Sequence, residues 1–122
     1  MSRWQVDLHT HTDRSPDCRI APADLVRRAR EVGLDRLAVT DHDRIEGAFA
    51  AREADPELVI VAEEVRTADG PELVGLFLEE YVPPGLSFRE TAAAIREQGG
   101  VTYLPHPFDP ARGTTEAFLE GR

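Results

Sequence analysis

Val6-Asp7-Leu8-His9-Thr10-His11-Thr12 places two histidines beside a strand-like pattern, and the residues downstream of it can be interpreted as partners for those two histidines. Apolar residues alternate with polar ones from Trp4 to Leu8, which predicts a short first strand. Side chains two positions apart on a strand share a side, so His9 and His11 lie on the same side. They form half of a metal site, or they are two chance histidines on a half-buried strand. The positions of the other histidines decide between these interpretations.

The composition predicts one soluble globular domain. The chain has 122 residues, of which 41% are hydrophobic, and this is enough for a single core. No run approaches the roughly 18 apolar residues of a membrane span, and the N-terminus lacks the layout of a secretion signal. The single cysteine, Cys18, can form no internal disulfide, as is usual in a reducing compartment. We therefore expect a cytoplasmic location and no membrane partner.

The formal net charge of the chain is −9, from 23 acidic and 14 basic side chains. The surface as a whole therefore repels the nucleic-acid backbone. A nucleic-acid partner is disfavoured and would need a local binding site rather than a basic face. Carboxylates that converge on one place are tolerated when metal ions neutralise them, so part of the acidity is consistent with a cation site.

Strand and helix patterns alternate along the chain. The predicted strands are Trp4–Leu8, Leu37–Thr40, Leu58–Ala62, Leu73–Leu78 and Val101–Leu104. The predicted helices are Pro22–Val32, Ile45–Ala54, Phe88–Gln98 behind a Ser87/Glu90 capping box, and Glu116–Leu119. Strands separated by helices usually pair in parallel, whereas turn residues at 68–71 predict a hairpin of the third and fourth strands. The predicted fold is α/β, either an open sheet or part of a barrel.

All four histidines lie at or just beyond the carboxyl end of a predicted strand: His9, His11, His42 and His106. The acidic residues in the same zone are Asp7, Asp17, Asp41 and Glu64. In barrels and open α/β sheets, this edge is where ligands bind and chemistry happens. We therefore expect these side chains to form one shared metal site.

Imidazole and carboxylate ligands without a thiolate cluster suit Zn, Mn or Fe. The chain offers more ligands than one ion needs, which indicates two or three divalent ions bridged by a carboxylate, with Glu64 as the natural bridge. Such ions lower the pKa of a bound water to about 7 and hold the oxygens of a phosphate under attack. Hydrolysis of a phosphoester is the expected chemistry.

The motifs around these residues resemble those of the PHP family, the polymerase and histidinol phosphatase domain. They are His9-Thr10-His11-Thr12, Ser15-Pro16-Asp17, Ala38-Val39-Thr40-Asp41-His42-Asp43, Glu64-Val65-Arg66-Thr67 and Pro105-His106-Pro107. The resemblance covers about residues 4 to 109 and depends on several separated motifs in the family's order. It implies a distorted (β/α)7 barrel, a trinuclear centre of Zn, Mn or Fe, and phosphoesterase activity.

The resemblance also implies a set of metal ligands. His9 and His11 would hold one ion together with Glu64. Glu64 would bridge to a second ion that also binds His106. Asp17 and His42 would hold the third ion. Glu64 is preferred over its neighbour because Glu-Val-Arg-Thr fits the family's motif at this point.

Two further carboxylates are candidates for groups that hold the metal ligands in place without binding metal themselves. Asp41 either orients the imidazole of His42 or caps the following helix. Asp7 either supports the site from a buried position or is merely polar on the far face of its strand. Glu72 is a weak candidate for the second ion.

One family feature is missing from the sequence. Members of the family end with a glycine-rich strand that bears an Asp-x-His pair, and this sequence stops at Arg122 without one. Five strands also do not close a seven-stranded barrel. We therefore expect residues 1–122 to be a PHP-like phosphoesterase domain that is incomplete at its C-terminus, with an open sheet edge.

Three functions follow from these features. The first is a hydrolase that acts on a phosphomonoester or small nucleotide through a water activated by several metal ions. The second is a nuclease or polymerase-associated domain that acts on nucleic-acid ends. The third is an inactive metal-binding remnant, because the C-terminal ligands are missing. The sequence does not indicate the substrate, the metal used in the cell or the oligomeric state.

Overall fold

Five strands and three helices make up residues 3–106, the part of the chain that the computed structural model describes. In chain order they are β1 (Val6–Thr10), α1 (Pro22–Glu31), β2 (Arg36–Val39), α2 (Glu46–Ala54), β3 (Val59–Val65), β4 (Leu73–Leu76), α3 (Phe88–Glu97) and β5 (Val101–Tyr103). All of these elements were predicted, although β1 begins and ends two residues later than expected. The predicted helix Glu116–Leu119 lies outside the described residues.

The strands form one sheet in the order β1-β2-β3-β4-β5. The first three strands pair in parallel, and the predicted hairpin of β3 and β4 is confirmed. The expectation of parallel pairing across a helix is wrong for β4 and β5, which are antiparallel although α3 connects them. Because β4 runs against its neighbours, β5 again has the direction of β3. The carboxyl ends of β1, β2, β3 and β5 therefore share one edge of the sheet.

The helices begin where the sequence predicts. Pro22 is at the first position of α1, where its missing N–H costs no hydrogen bond. At α3, the side chain of Ser87 accepts from the backbone N–H of Glu90, and the Glu90 side chain accepts in return from the backbone N–H of Ser87. This reciprocal pair is the predicted capping box. No helix among residues 3–106 has both the length and the apolar content to span a membrane.

Alternation along the strands separates two apolar clusters. Leu37 and Val39 of β2 pack with the helices in the main core, which also contains Ile95 of α3. Ala38, between them in the sequence, belongs to a smaller cluster on the other face of the sheet. That second face is the inner face, and its cluster consists of Ala38, Ala62, Val74 and Leu76, with Ile60 and Tyr103 packed against it. The inner face carries the polar cluster described next.

Candidate metal centre

Imidazoles from three separate strands meet at one carboxylate on the inner face. His9 Nε2 and His11 Nε2, both on or beside β1, lie 2.9 Å and 3.1 Å from Glu64 Oε1. His106, three residues after β5, places its Nε2 3.0 Å from Glu64 Oε2. His42, after β2, has its Nδ1 3.6 Å from Glu64 Oε1. The structure thus brings all four histidines to the edge where the sequence predicted them.

Glu64 is the centre of this cluster because of its position on β3. It follows Ala62 by two residues, so both face inward, and its side chain is fully buried. Glu63 points to the opposite face, where its Oε1 accepts a hydrogen bond from the backbone N–H of Val82 at 3.1 Å. Its Oε2 is buried without a hydrogen-bond partner, and burial raises the pKa of Glu63 to about 8. The geometry therefore separates two adjacent glutamates, and only Glu64 lies among the histidines.

The cluster contains three groups of side chains whose donor atoms lie within 4.8 Å of one another among the described residues: His9/His11/Glu64, His11/Asp17/His42 and His42/Glu64/Glu72. The first group coincides with the ligand set predicted for one ion. The second contains the predicted pair Asp17 and His42, with His11 as an additional neighbour. His106 is in none of the three groups; its Nε2 faces Glu64 Oε2, and its ring lies beside that of His9, with ring centroids 5.5 Å apart.

Glu72 is closer to the centre than the sequence indicated. Its Oε2 lies 3.2 Å from His42 Nδ1, and it completes the third group. Glu72 comes directly before β4, which runs antiparallel to β3. The start of an antiparallel strand lies at the same edge as the ends of the parallel strands. That rule, applied to the predicted hairpin, would have placed Glu72 beside the histidines from the sequence alone.

The charges of the cluster are coupled. Burial, the largest influence, opposes the charged form of His11, but the carboxylates of Glu64 and Asp17 outweigh it and raise the pKa of His11 to about 9. Burial likewise opposes ionisation of Glu64, but hydrogen bonds from His11 and His9 keep its pKa far below the usual range. The pKa of Asp17 is also lowered, because His11 and His42 outweigh the effect of burial. Without a metal ion, the carboxylates are ionised and share a proton-bearing imidazole.

Asp41 makes neither of the two contacts that the sequence suggested. It accepts hydrogen bonds from the backbone N–H and the hydroxyl of Thr12, both at 2.6 Å, and from the hydroxyl of Ser15 at 2.9 Å. The ring nitrogens of His42 face the carboxylates of Glu72 and Asp17, and the N-cap residue of α2 is Ile45. Ser15 Oγ in turn accepts from the backbone N–H of His42 at 2.9 Å. Asp41 therefore holds the loop after β1 and, through Ser15, the backbone of His42.

Asp7 does not support the site from a buried position, and that prediction is wrong. Its side chain is exposed, and its Oδ1 accepts a hydrogen bond from the backbone N–H of His9 at 3.1 Å. Asp7 pairs in register with Leu37, whose side chain packs in the main core, and the register shifts between Asp7 and Thr10. This pairing is consistent with the other alternative, a polar residue on the far face of the strand.

A cleft of about 520 Å³ opens beside the cluster, lined by Asp13, Arg14, Ser15, Pro16, His42, Asp43 and Arg44. Asp43 already interacts with Arg66, whose backbone N–H donates to Asp43 Oδ1 at 2.8 Å. Arg14 is loosely paired, with its Nε 3.8 Å from Asp13 Oδ1. Arg44 has no ion pair within residues 3–106. The cleft therefore offers cationic side chains next to His42.

The donor atoms of the cluster fit a divalent metal centre. They are imidazole nitrogens and carboxylate oxygens, which suit Zn, Mn and Fe, and the one cysteine is in none of the three groups. A buried carboxylate with imidazoles at both oxygens is the arrangement that a bridging ligand between two ions requires.

The model of the PHP domain family matches residues 7–98 of the chain. Among curated proteins, the uncharacterized protein MJ1587 of Methanocaldococcus jannaschii is 36% identical over 119 residues, which cover 87% of this chain and 69% of that protein. A 5'-3' exoribonuclease of Haemophilus influenzae is 31% identical over 125 residues, covering 90% of this chain and 45% of the enzyme. The chain therefore spans less than half of that enzyme.

Solved structures share the fold. A two-domain protein of Bacteroides vulgatus, described as containing a predicted PHP-like metal-dependent phosphoesterase, matches 89% of this chain and 36% of its own, with a TM-score of 0.77 and 21% identity. A putative metal-dependent phosphoesterase of Bifidobacterium adolescentis matches 98% of this chain and 74% of its own, with a TM-score of 0.76 and 19% identity. The mixed α/β sheet of five strands corresponds to part of the barrel in these structures.

Proposed function

The chain belongs to the PHP domain family, and from this premise we propose that it is a metal-dependent hydrolase of a phosphomonoester or small nucleotide. The observation that carries the proposal is the convergence of His9, His11 and His106 on the two oxygens of the buried Glu64. These residues come from three distant parts of the chain. A satisfied core histidine needs no such convergence, whereas a bridged metal centre does.

The proposed ligand sets follow the geometry of the cluster. His9, His11 and Glu64 hold one ion, and Glu64 with His106 holds a second. Asp17 and His42 hold the third. Glu72 supplies a further carboxylate beside His42 and Glu64. Its Oε2 lies 3.2 Å from His42 Nδ1. We propose two or three ions of Zn, Mn or Fe in the complete centre.

The chemistry then depends on the metal ions and on side chains of the cleft. When bound, such ions lower the pKa of a coordinated water and neutralise the charge of the phosphate. Arg14 and Arg44 line the cleft beside His42, and guanidinium groups bind phosphate oxygens in pairs of hydrogen bonds. These arginines would orient a small phosphorylated substrate with its ester bond toward the cluster. Asp41 and Ser15 would hold His42 at the border between cleft and cluster.

Action on nucleic-acid ends is a second candidate. It is favoured by the similarity to the exoribonuclease of Haemophilus influenzae and, over 68 residues, to error-prone DNA polymerases of mycobacteria at 43% identity. The net charge of −9 disfavours it, because a long strand would be repelled outside the cleft. Competition between single-stranded DNA and p-nitrophenyl phosphate separates the two candidates: strong inhibition by micromolar DNA would favour the second.

The proposal is tested by replacing Glu64 and its neighbour in parallel. Glu64→Gln should lower metal affinity by at least about 100-fold, because a neutral amide is a poor bridge between cations. Glu63→Gln is the matched control, since Glu63 is equally buried and its pKa of about 8 keeps it mostly protonated at pH 7. It should bind metal within about twofold of the wild type.

The measurements are metal content by elemental analysis after dialysis and hydrolysis of p-nitrophenyl phosphate before and after chelation. We expect at least one tightly bound ion per chain, together with activity that chelation removes and added Mn²⁺ restores. A wild-type chain with no bound metal would contradict the proposal. A chain that binds metal but hydrolyses neither p-nitrophenyl phosphate nor single-stranded DNA would instead be the inactive remnant.

A further inference from the structure

Strands β1 and β5 stand at the two ends of the sheet and share no ladder, yet both lead to histidines of the same cluster. His9 lies on β1, His106 follows β5, and their ring centroids are 5.5 Å apart. The two rings face different oxygens of Glu64, at 2.9 Å and 3.0 Å. The separation between the ends of the sheet therefore decides whether both rings reach the same carboxylate.

The pairing of β1 with β2 does not fix this separation by itself. The register between the two strands shifts between Asp7 and Thr10, so the ladder is irregular at the residues that approach the cluster. Such an irregularity leaves backbone groups unpaired and bends the strand locally. Leu8 and His9 lie within this interval, and the backbone N–H of His9 donates to the nearby side chain of Asp7 rather than to β2.

Tyr103 provides a contact from the opposite end of the sheet. Its hydroxyl donates a hydrogen bond to the backbone carbonyl of Leu8, directly before His9. Within residues 3–106, this is the one hydrogen bond that joins β1 to β5. The ring packs against the inner apolar cluster, which fixes its direction. Burial, followed by the charges of Glu64 and Asp7, raises the pKa of Tyr103 to about 12, so the hydroxyl keeps its proton at neutral pH.

We propose that Tyr103 is a positioning residue of the metal centre, whose hydroxyl fixes β1 against β5 and thereby sets the distance between His9 and His106 across Glu64. This inference rests on the proposed metal-binding function. The hydroxyl contacts the backbone and none of the proposed ligands. Its removal should therefore displace the two rings relative to each other while every ligand atom remains present.

The first test measures ring positions without metal. Tyr103→Phe removes the hydroxyl and keeps the ring, and Tyr81→Phe is the matched control because the Tyr81 hydroxyl also donates to a backbone carbonyl, that of Asp43. In the metal-free chain, nuclear Overhauser effects between ring protons of His9 and His106 should be present in the wild type and in Tyr81→Phe. They should weaken by at least about threefold in Tyr103→Phe. Unchanged effects in Tyr103→Phe would overturn the inference.

The second test follows Co²⁺ binding by visible absorption. Tyr103→Phe should lower the affinity for the ion held by Glu64 and His106 by roughly three- to tenfold, which is the effect of one lost hydrogen bond. It should leave the affinity for the ion at Asp17 and His42 within about twofold of the wild-type value. In a His106→Ala background, the same substitution should have no further effect, because the ring that it positions is gone.

Two results would overturn the positioning role. One is equal weakening of all ions with a lower urea midpoint, which would mean that Tyr103 only stabilises the fold. The other is the same loss with and without His106. A wild-type chain that binds no Co²⁺ would contradict the proposed function instead, and the comparison of ring positions would still decide the inference.

Discussion

His11 interacts with two carboxylates of the cluster, one at each nitrogen of its ring. Its Nδ1 lies 3.1 Å from Asp17 Oδ1, and its Nε2 lies 3.1 Å from Glu64 Oε1. The ring is largely buried, with 15% of its side chain exposed. Two carboxylates at opposite nitrogens favour the doubly protonated ring, which donates to both. In the absence of a metal ion, a proton therefore takes part of the role that a cation would have.

This arrangement predicts how the stability of the metal-free chain depends on pH. The pKa of His11 is raised from 6.5 to about 9, so the folded state binds the proton more tightly than the unfolded state does. The stabilisation is fully present below pH 6.5 and is lost as the pH rises through 9. The lowered pKa of Glu64 acts in a different range, because its contribution is lost only as the solution becomes acidic.

We expect His11 to contribute a fall of up to about 3 kcal/mol in the free energy of unfolding between pH 6 and pH 9.5 in the presence of a chelator. Urea denaturation at several pH values measures it. His11→Asn, which cannot take up the proton, should remove this contribution and leave the fall up to about pH 8 that comes from the raised pKa of Glu63. Stability that rises toward pH 9 in the wild type would disprove the coupling.

Single residues differ in how far the sequence could predict them. The positions of His9, His42 and His106 followed from the rule that parallel strands present their carboxyl ends at one edge. The role of Asp41 did not, because its partners Thr12 and Ser15 lie in a loop whose path has no periodic pattern. The exposure of Asp7 depends on the course of neighbouring strands, which local sequence does not determine.

At the scale of elements, the approach of α2 to the loop after β1 shapes the part of the centre around His42. Gly47 of α2 faces the carboxylate of Asp41 so closely that a Cβ atom there would lie 2.3 Å from Asp41 Oδ2 and 2.3 Å from Thr12 Oγ1. Both oxygens belong to the hydrogen bonds that hold the loop. The absence of a side chain at Gly47 therefore lets the helix pack directly on this network.

Gly47→Ala should push α2 away from the loop and disturb the backbone of His42. Overpacking of this kind costs about 1–3 kcal/mol of stability. Gly75→Ala is the matched control, because a Cβ atom there would lie 2.9 Å from the side chain of Ile95, on α3. Both variants should unfold at lower urea concentrations. Only Gly47→Ala should also weaken Co²⁺ binding at Asp17 and His42, by about fivefold or more, and equal binding by the two variants would argue against the account.

The elements themselves were largely predictable from pattern. Apolar runs, Pro22 and the Ser87/Glu90 pair defined the strands and the helix starts, because these signals depend on nearby residues. The antiparallel pairing of β4 and β5 was not predictable in the same way. It depends on where α3 returns the chain to the sheet, which is a matter of packing across the molecule. The edge rule still placed His106 correctly, since the reversal at β4 restores the direction of β5.

At the scale of the whole molecule, the acidic composition and the polar cluster are parts of one arrangement. The chain carries a net charge of −9, and several of its carboxylates converge with the four histidines on the inner face of the sheet. Bound divalent ions would neutralise that concentration of charge. The chain spans 69% of MJ1587 and 45% of the exoribonuclease of Haemophilus influenzae. The activity of the relatives is therefore carried over to this chain only as a proposal.

The proposed function requires histidines from distant strands to bind metal ions around Glu64. Crystals grown with Mn²⁺ or Zn²⁺, measured at the absorption edge of that metal, test it most directly through anomalous scattering. We expect peaks about 2.0–2.2 Å from His9, His11 and Glu64, and at least one more peak beside His106 or His42. Peaks that lie elsewhere on the protein, with these side chains facing no metal, would contradict it.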